Sequence, residues 1–388
     1  MNATLKANWN YPTTVWAGPG RIAELAAACR RVGIIRPLLV TDEGLRDAPM
    51  VCRACELVPG AVLFSRVRGN PVAANIEDGL AAYRVGGHDG VIALGGGSAL
   101  DAGKVIAFMS GQRRPLWDFE DVGDWWTRAD PRGIAPVIAI PTTAGTGSEV
   151  GRAGVVVNEA THQKKIIFHP QMMPALVISD PELTVGLPAS ITAATGMDAF
   201  VHCLEAYCAP GFHPLADGIA LEGMRLIQTH LPRACEDGQD LEARSRMLAA
   251  ASMGATAFQK GLGGVHAIAH PVGAHFNTHH GLTNAVLLPY LLVHNRPALG
   301  PQLPVIARTL GLGGEPFEAL LSWVLEFRER LKIPHSLAEI GVTLRNPDTI
   351  GHEASLDPSA GGNPRPTEAA DYARIFRSAV KGDLQLGG

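Results

Sequence analysis

Through the first half of the chain, continuous aliphatic runs of strand length alternate with segments whose apolar residues recur every three to four positions. Pro37-Leu38-Leu39-Val40-Thr41, Gly90-Val91-Ile92-Ala93-Leu94 and Pro136-Val137-Ile138-Ala139-Ile140 read as strands, while residues 22–31 and 76–85 carry helical spacing. Strand and helix in alternation predict a parallel sheet with crossover helices, and therefore a ligand crevice at the carboxyl ends of the strands. Residues 155–158 and 175–179 read as two further strands, paired antiparallel with each other.

After Asp180-Pro181 the pattern changes. From Pro188 onward the spacing predicts helices over 190–209, 213–229, 241–258, 264–277 and 317–332, and strand signals nearly vanish. This places a boundary near residue 185, with an α/β domain over 1–185 and an all-helical domain over 186–388. Pro271 and Gly273 are expected to bend or end the helix that contains them. Residues 113–133, with Trp117, Trp125 and Trp126, read as a surface excursion packed on its own aromatics. Residues 352–366, rich in Gly, Pro and Ser, read as a loop before a last helix.

A chain of 388 residues is long enough for two domains, each with its own core. The 33 basic and 37 acidic residues give a net charge of −4, which removes the basic footprint of nucleic-acid or anionic-membrane binding. The opening MNATLKANWNYPTT has no apolar signal region, and no apolar run reaches the ~18 residues a membrane span needs, so a cytoplasmic protein is expected. Cys29, Cys52, Cys55, Cys203, Cys208 and Cys235 are too sparse and irregular for a disulfide framework. Cys52 and Cys55 read as two free thiols on an amphipathic helix.

Two turns carry phosphate chemistry. Gly95-Gly96-Gly97-Ser98 follows a strand directly and leads into a helix, so backbone N–H groups and a helix N-terminus can approach a pyrophosphate. The spacing is not the G-x-G-x-x-G fingerprint, because Leu100 stands at its last position, nor a Walker A loop, because Val105 follows Lys104. Pro141-Thr142-Thr143-Ala144-Gly145-Thr146-Gly147-Ser148-Glu149 follows the next strand with four hydroxyls and two glycines. Asp42, at the end of an earlier strand, is placed to hold a ribose 2′-hydroxyl and repel a 2′-phosphate, which favours NAD over NADP. Asn70-Pro71 begins another helix near the same edge.

The second half carries metal chemistry. Asp198 and His202 are four residues apart on a predicted helix and share a face. Five of the fourteen histidines, His266, His270, His275, His279 and His280, fall in one fifteen-residue window. One carboxylate and three neutral imidazoles would make a four-ligand site for Fe(II), Zn(II) or a related ion. Spacing alone leaves open which histidines coordinate.

Together these motifs resemble the iron-containing (group III) alcohol dehydrogenase family over nearly the whole chain. The resemblance rests on Trp16-Ala-Gly-Pro-Gly20, Gly95-Gly-Gly-Ser98-x-x-Asp101, Pro141-Thr-Thr-Ala-Gly-Thr-Gly-Ser-Glu149, Asp180-Pro181, Gly196-Met-Asp198-x-x-x-His202 and the window ending in His280-Gly281. It implies a Rossmann-like dinucleotide-binding α/β domain and an all-α domain, as in the related dehydroquinate synthase architecture, with metal and substrate between them. It implies metal ligands at Asp198, His202, His266 and His280, and a proton-relay role for His270. It implies NAD contacts at Asp42, Asn70, Gly96, Gly97, Ser98, Asp101, Thr142, Thr143, Thr146, Lys164 and Leu183. The chain departs from the family pattern at Ala99, His275 and His279.

The expected activity is reversible, NAD-linked oxidation of an alcohol by a homodimer or larger homo-oligomer, with small-molecule partners only. A metal-dependent lyase or hydrolase, or a polyol dehydrogenase of the glycerol type, is the alternative on the same scaffold.

Overall fold

The three aliphatic runs form the middle of a sheet, where strands must be apolar on both faces. A computed structural model describes residues 13–160 and 163–385; the first residues, read above for a signal, lie outside the described residues. The order is β1 (Thr14–Ala17), α1 (Leu25–Val32), β2 (Pro37–Asp42), α2 (Pro49–Leu57), β3 (Val62–Val67), α3 (Ala73–Val85), β4 (Gly90–Gly95), α4 (Gly97–Met109) and β5 (Val137–Pro141). Then come β6 (Ala153–Asn158), β7 (Gln163–Phe168) and β8 (Leu176–Ser179). Six strands pair in the order β1-β8-β5-β4-β2-β3, all parallel. The chain runs outward from β2 to β3 and returns on the other side of β2 to β4. The direction of winding therefore reverses between β2 and β4, which opens a crevice at their carboxyl ends.

Two strand expectations need correction. Residues 176–179 do not pair with 155–158; they form β8, inside the main sheet between β1 and β5. All four β8 residues are buried, as an interior strand requires. β6 instead pairs antiparallel with β7, a strand that the apolar pattern missed because it begins Gln163-Lys164-Lys165. β1 and β3 were also not read from the sequence; both are edge strands, β1 of only four residues and β3 interrupted by Ser65-Arg66. The 113–133 excursion holds three short 3-10 turns. It is not packed only on its own aromatics, since Phe119 is buried edge-on against Phe108 of α4 at 4.9 Å between ring centres.

The second half is helical throughout: α5 (Ala189–Cys208), α6 (Pro214–Glu236), α7 (Leu241–Ala257), α8 (Gly264–Phe276), α9 (His280–Asn295), α10 (Leu303–Thr309), α11 (Pro316–Arg330), α12 (Pro347–Leu356) and α13 (Ala369–Lys381). α8 runs on through Pro271 and Gly273, both buried, and ends where Asn277 turns left-handed at φ 52°. A proline removes one helical hydrogen bond, and burial on neighbouring helices outweighs that loss here. α9 was not anticipated, and α12 occupies the start of the stretch read as a loop. Among the described residues, no helix is long and apolar enough to cross a membrane.

The described chain groups into two compact units. One holds the residues up to Thr143 with Gly147–Gly186; the other holds Ala144–Thr146 and the residues from Leu187 onward. Within the helical unit α5 is largely buried and packs against α6, α7 and α9. The first turn of α9 comes so near α5 that a Cβ on Gly281 would lie 2.7 Å from the Ala194 carbonyl oxygen and 3.1 Å from the Asp198 Cβ. Gly281→Ala should therefore cost about 1–3 kcal/mol by overpacking. Thermal unfolding should show a Tm lower by several degrees; an unchanged Tm would mean the two helices have slack at this contact.

Candidate active site

Residues four and seven positions apart on a helix share a face, so α5 presents Asp198, His202 and Glu205 together. All three are buried, at 2%, 3% and 8% exposure. α8 contributes His266 and, one turn later, His270. α9 contributes His280 as its first residue.

These side chains converge. The Nε2 atoms of His202, His266 and His280 lie 3.8, 3.9 and 3.8 Å from one atom, Oδ1 of Asp198. Donor atoms of Asp198, His202 and His266 all fall within 4.8 Å of one another. The His270 ring stacks on His280 with centroids 5.4 Å apart and 12° between planes. The window's other histidines turn elsewhere. His275 meets Glu353 at 2.8 Å, and His279 caps α9, its Nδ1 accepting from the Leu282 N–H at 3.3 Å.

Carboxylates behind the imidazoles, Glu205 buried and Asp357 partly buried, set their protonation. Glu205 accepts from His266 Nδ1 at 2.6 Å and from the Val265 N–H at 2.7 Å. A proton held at Nδ1 leaves the Nε2 lone pair facing Asp198, as a metal-binding imidazole requires. Burial works against charge on His266, but the charge and hydrogen bond of Glu205, with Asp198, outweigh it and raise its pKa. Burial pushes His202 down to about 4 against the opposing pull of Asp198, so this imidazole is neutral near pH 7. Asp357 accepts from His270 Nδ1 at 2.8 Å and from the Ser359 N–H at 2.8 Å. Burial raises the Asp357 carboxyl, but His270 and Ser359 more than offset it and hold it below its ordinary value.

One carboxylate oxygen faced by three imidazole nitrogens is a repulsive set of lone pairs unless something positive stands among them. The donor types suit iron or zinc; Asp198, His202 and His266 group closely, and His280 comes to 3.8 Å from the same Asp198 oxygen. Sequence reasoning missed Glu205, Asp357 and Asn284. Glu205 and Asn284 carried a faint signal, three residues after His202 and four after His280; Asp357 is 87 residues from His270 and carried none.

In the sheet unit the glycine turn lies at the divide between β2 and β4. Gly95 has φ 149°, and a Cβ there would be 2.6 Å from the Ala99 Cβ and 3.3 Å from Asp42 Oδ2. Asp42 accepts from the Leu45 N–H at 3.0 Å; burial raises its carboxyl above the ordinary value, against that bond. Gly96 gives α4 no side-chain cap, so the N–H groups of its first turn, beginning at Gly97, are open to an anion. Ser98 donates to the Gly69 carbonyl at 2.5 Å, beside Asn70. The Thr142 N–H donates to the Gly95 carbonyl at 3.0 Å, and the Thr143 side chain lies 3.5 Å from where a Gly96 Cβ would be. Thr146 groups with the helical unit, where Gly145 lies against Thr195.

Three other expected cofactor positions sit apart from the turn's backbone. Asp101 spends its carboxylate inside the fold, on Ser148 Oγ at 2.5 Å, the Val155 N–H at 3.1 Å and Lys104 Nζ at 3.2 Å. Lys164 is half-buried on β7 opposite Val157. The Leu183 side chain is buried in the hydrophobic cluster that contains Ile140 and Ile178.

Comparison with known proteins agrees over nearly the whole chain. Residues 12–181 match the iron-containing alcohol dehydrogenase family, and residues 192–380 match that family's C-terminal part. A 4-hydroxybutyrate dehydrogenase of Cupriavidus necator is 38% identical over 384 residues, covering 95% of this chain and 99% of that protein. An NAD-dependent methanol dehydrogenase of Bacillus methanolicus is 31% identical, covering 96% and 100%. The crystal structure of a 1,3-propanediol oxidoreductase superposes with a TM-score of 0.91 at 33% identity, covering 96% of this chain and 100% of its own. This chain belongs to the iron-containing alcohol dehydrogenase family and is an NAD-dependent oxidoreductase of alcohols.

Proposed function

We propose that this enzyme interconverts a small primary alcohol and its aldehyde, with Asp198, His202, His266 and His280 holding the iron and His270 handling the proton. The observation that carries the reading is the convergence of three imidazole Nε2 atoms on one buried oxygen of Asp198. The relatives named for 4-hydroxybutyrate, methanol and 1,3-propanediol support the substrate class, since each compound is a small carbon frame ending in a hydroxyl. The residues up to about 185 form the dinucleotide-binding domain in this proposal, and those from 186 hold metal and substrate.

Bound in this cage, iron supplies Lewis acidity toward an alcohol oxygen, and zinc meets the same donor set. The chain's own residues do the rest. Asp198 contributes the negative charge and three imidazoles the remaining lone pairs, while Glu205 fixes the tautomer of His266. Asp357 fixes Nδ1 of His270, so that Nε2 is the atom at which a proton is accepted or returned. The open N–H groups at the start of α4, with Gly96, Gly97 and Ser98, would cradle the NAD pyrophosphate, flanked by Asn70, Thr142, Thr143 and Thr146. Lys164 and Leu183 would border the cofactor from their own elements, and Asp101 would brace α4 beneath it. Asp42, at the end of β2, would accept from the ribose hydroxyls and repel a 2′-phosphate.

We also propose a cytoplasmic homodimer or larger homo-oligomer. All six cysteines are free thiols, which fits a reducing compartment, and β1 is a sheet edge able to pair with a second copy.

Metal analysis of anaerobically purified protein, run beside an alcohol and aldehyde panel with NAD(H), tests the reading. His266→Ala and Asp198→Ala should lose iron and activity together. His270→Ala should keep iron and lose rate by roughly 10²–10⁴-fold. Equal metal loss in both classes would refute the division of roles. Glu205→Gln should weaken metal binding by about 10–100-fold in a competition titration, and unchanged affinity would remove Glu205 from the site. Asp42→Gly should narrow the preference for NAD over NADP in kcat/KM; an unchanged ratio would show that Asp42 does not read the ribose.

A further inference from the structure

Asn284 lies one helical turn beyond His280 on α9 and is completely buried. Its Nδ2 donates to Asp198 Oδ1 at 2.7 Å and stands 3.1 Å from His266 Nε2 and 3.2 Å from His280 Nε2. Its Oδ1 is buried and has no hydrogen-bond partner among the described residues. A buried asparagine that merely braced two helices would satisfy both ends of its amide. This one satisfies the cage and leaves its own oxygen unpaired.

The location of Nδ2 gives that arrangement its meaning. A zinc- or iron-sized cation needs its oxygen and nitrogen ligands at about 2.0–2.2 Å. A nitrogen within 2.7–3.2 Å of three of the four candidate ligands therefore faces the same donor atoms that the cation would need. The amide hydrogens are the positive end of a dipole, and they meet the same carboxylate and imidazole lone pairs that a cation would. The amide and a cation would therefore compete for the same lone pairs.

We propose that Asn284 is an internal placeholder for the metal: its amide holds the Asp198, His266 and His280 side chains together in the metal-free protein and is displaced by the entering cation. Asn284 is thus a positioning residue that sets metal affinity by competition. It keeps the cage assembled when the metal leaves, and metal binding is weaker by the free energy needed to displace the amide. The inference rests on the assignment of Asp198, His202, His266 and His280 as the metal site.

The test uses zinc, which has no redox chemistry to complicate the reading, on the full-length protein stripped by chelator. Zinc affinity is measured by competition with a chromophoric chelator, and Tm is measured with and without zinc, for the unaltered protein, Asn284→Ala, Asn284→Ser and Asp198→Ala. Both Asn284 variants remove the amide from the cage, and the serine keeps a small polar group should the alanine fold poorly. The account expects a metal-free Tm lower by several degrees together with zinc binding tighter by about tenfold or more. Unchanged or weaker zinc binding in the Asn284 variants would overturn it, as would an unchanged metal-free Tm. If the unaltered protein bound zinc no better than Asp198→Ala, the metal-site assignment itself would fall, which is a different result from Asn284 variants that bind zinc like the unaltered protein.

Discussion

A carboxylate in the middle of a helical core is the constraint around which the second half of this chain is arranged. Asp198 is 2% exposed, and removal of a charge from water is tolerated only when partners surround it. Here Asn284 of α9 donates to it directly, and three helices set imidazoles around it: His202 from its own helix, His266 from α8 and His280 from α9. Gly281 lets α9 approach closely enough for its first residue to reach the cage. Glu205, which is buried, and Asp357, which is partly buried, lie behind the imidazoles and orient them. The local charges are thus organised in layers, and the innermost layer has the composition and spacing of a divalent-metal site.

The sheet unit solves a different problem with backbone instead of side chains. Reversal of the winding between β2 and β4 leaves a gap at their carboxyl ends, and the Gly95 turn and Asp42 flank it. Gly95 is required because its φ of 149° and its 2.6 Å approach to the Ala99 Cβ exclude a side chain. Asp101, expected among the cofactor contacts, is committed to Ser148, Val155 and Lys104, and so fixes α4 against β6. Burial lowers the Lys104 pKa while Asp101 and Glu149 oppose it, a balance that belongs to an internal brace.

The sequence disclosed elements whose physics is local and concealed those that depend on packing. β2, β4 and β5 were legible because strands covered on both faces must be apolar throughout. β7 and β3 were not, since Gln163-Lys164-Lys165 and Ser65-Arg66 dilute their apolar pattern, and β1 is only four residues long. Helical spacing located α5 to α8, yet Pro271 looked like an ending because the burial that sustains α8 past it is tertiary. Asp198 and His202 were visible as a pair on one helix face. The choice among five clustered histidines was not visible from spacing: it is made by the direction each faces, with His275 drawn to Glu353 and His279 spent as a cap. Asp357 had no local signal at all, because its partner is brought to it only by the fold.

X-ray absorption at the iron edge of the anaerobically loaded protein tests the central claim most directly. The account predicts only nitrogen and oxygen neighbours at about 2.0–2.2 Å, with the outer-shell scattering of three imidazoles. A sulfur neighbour, or an imidazole contribution of one or none, would contradict it.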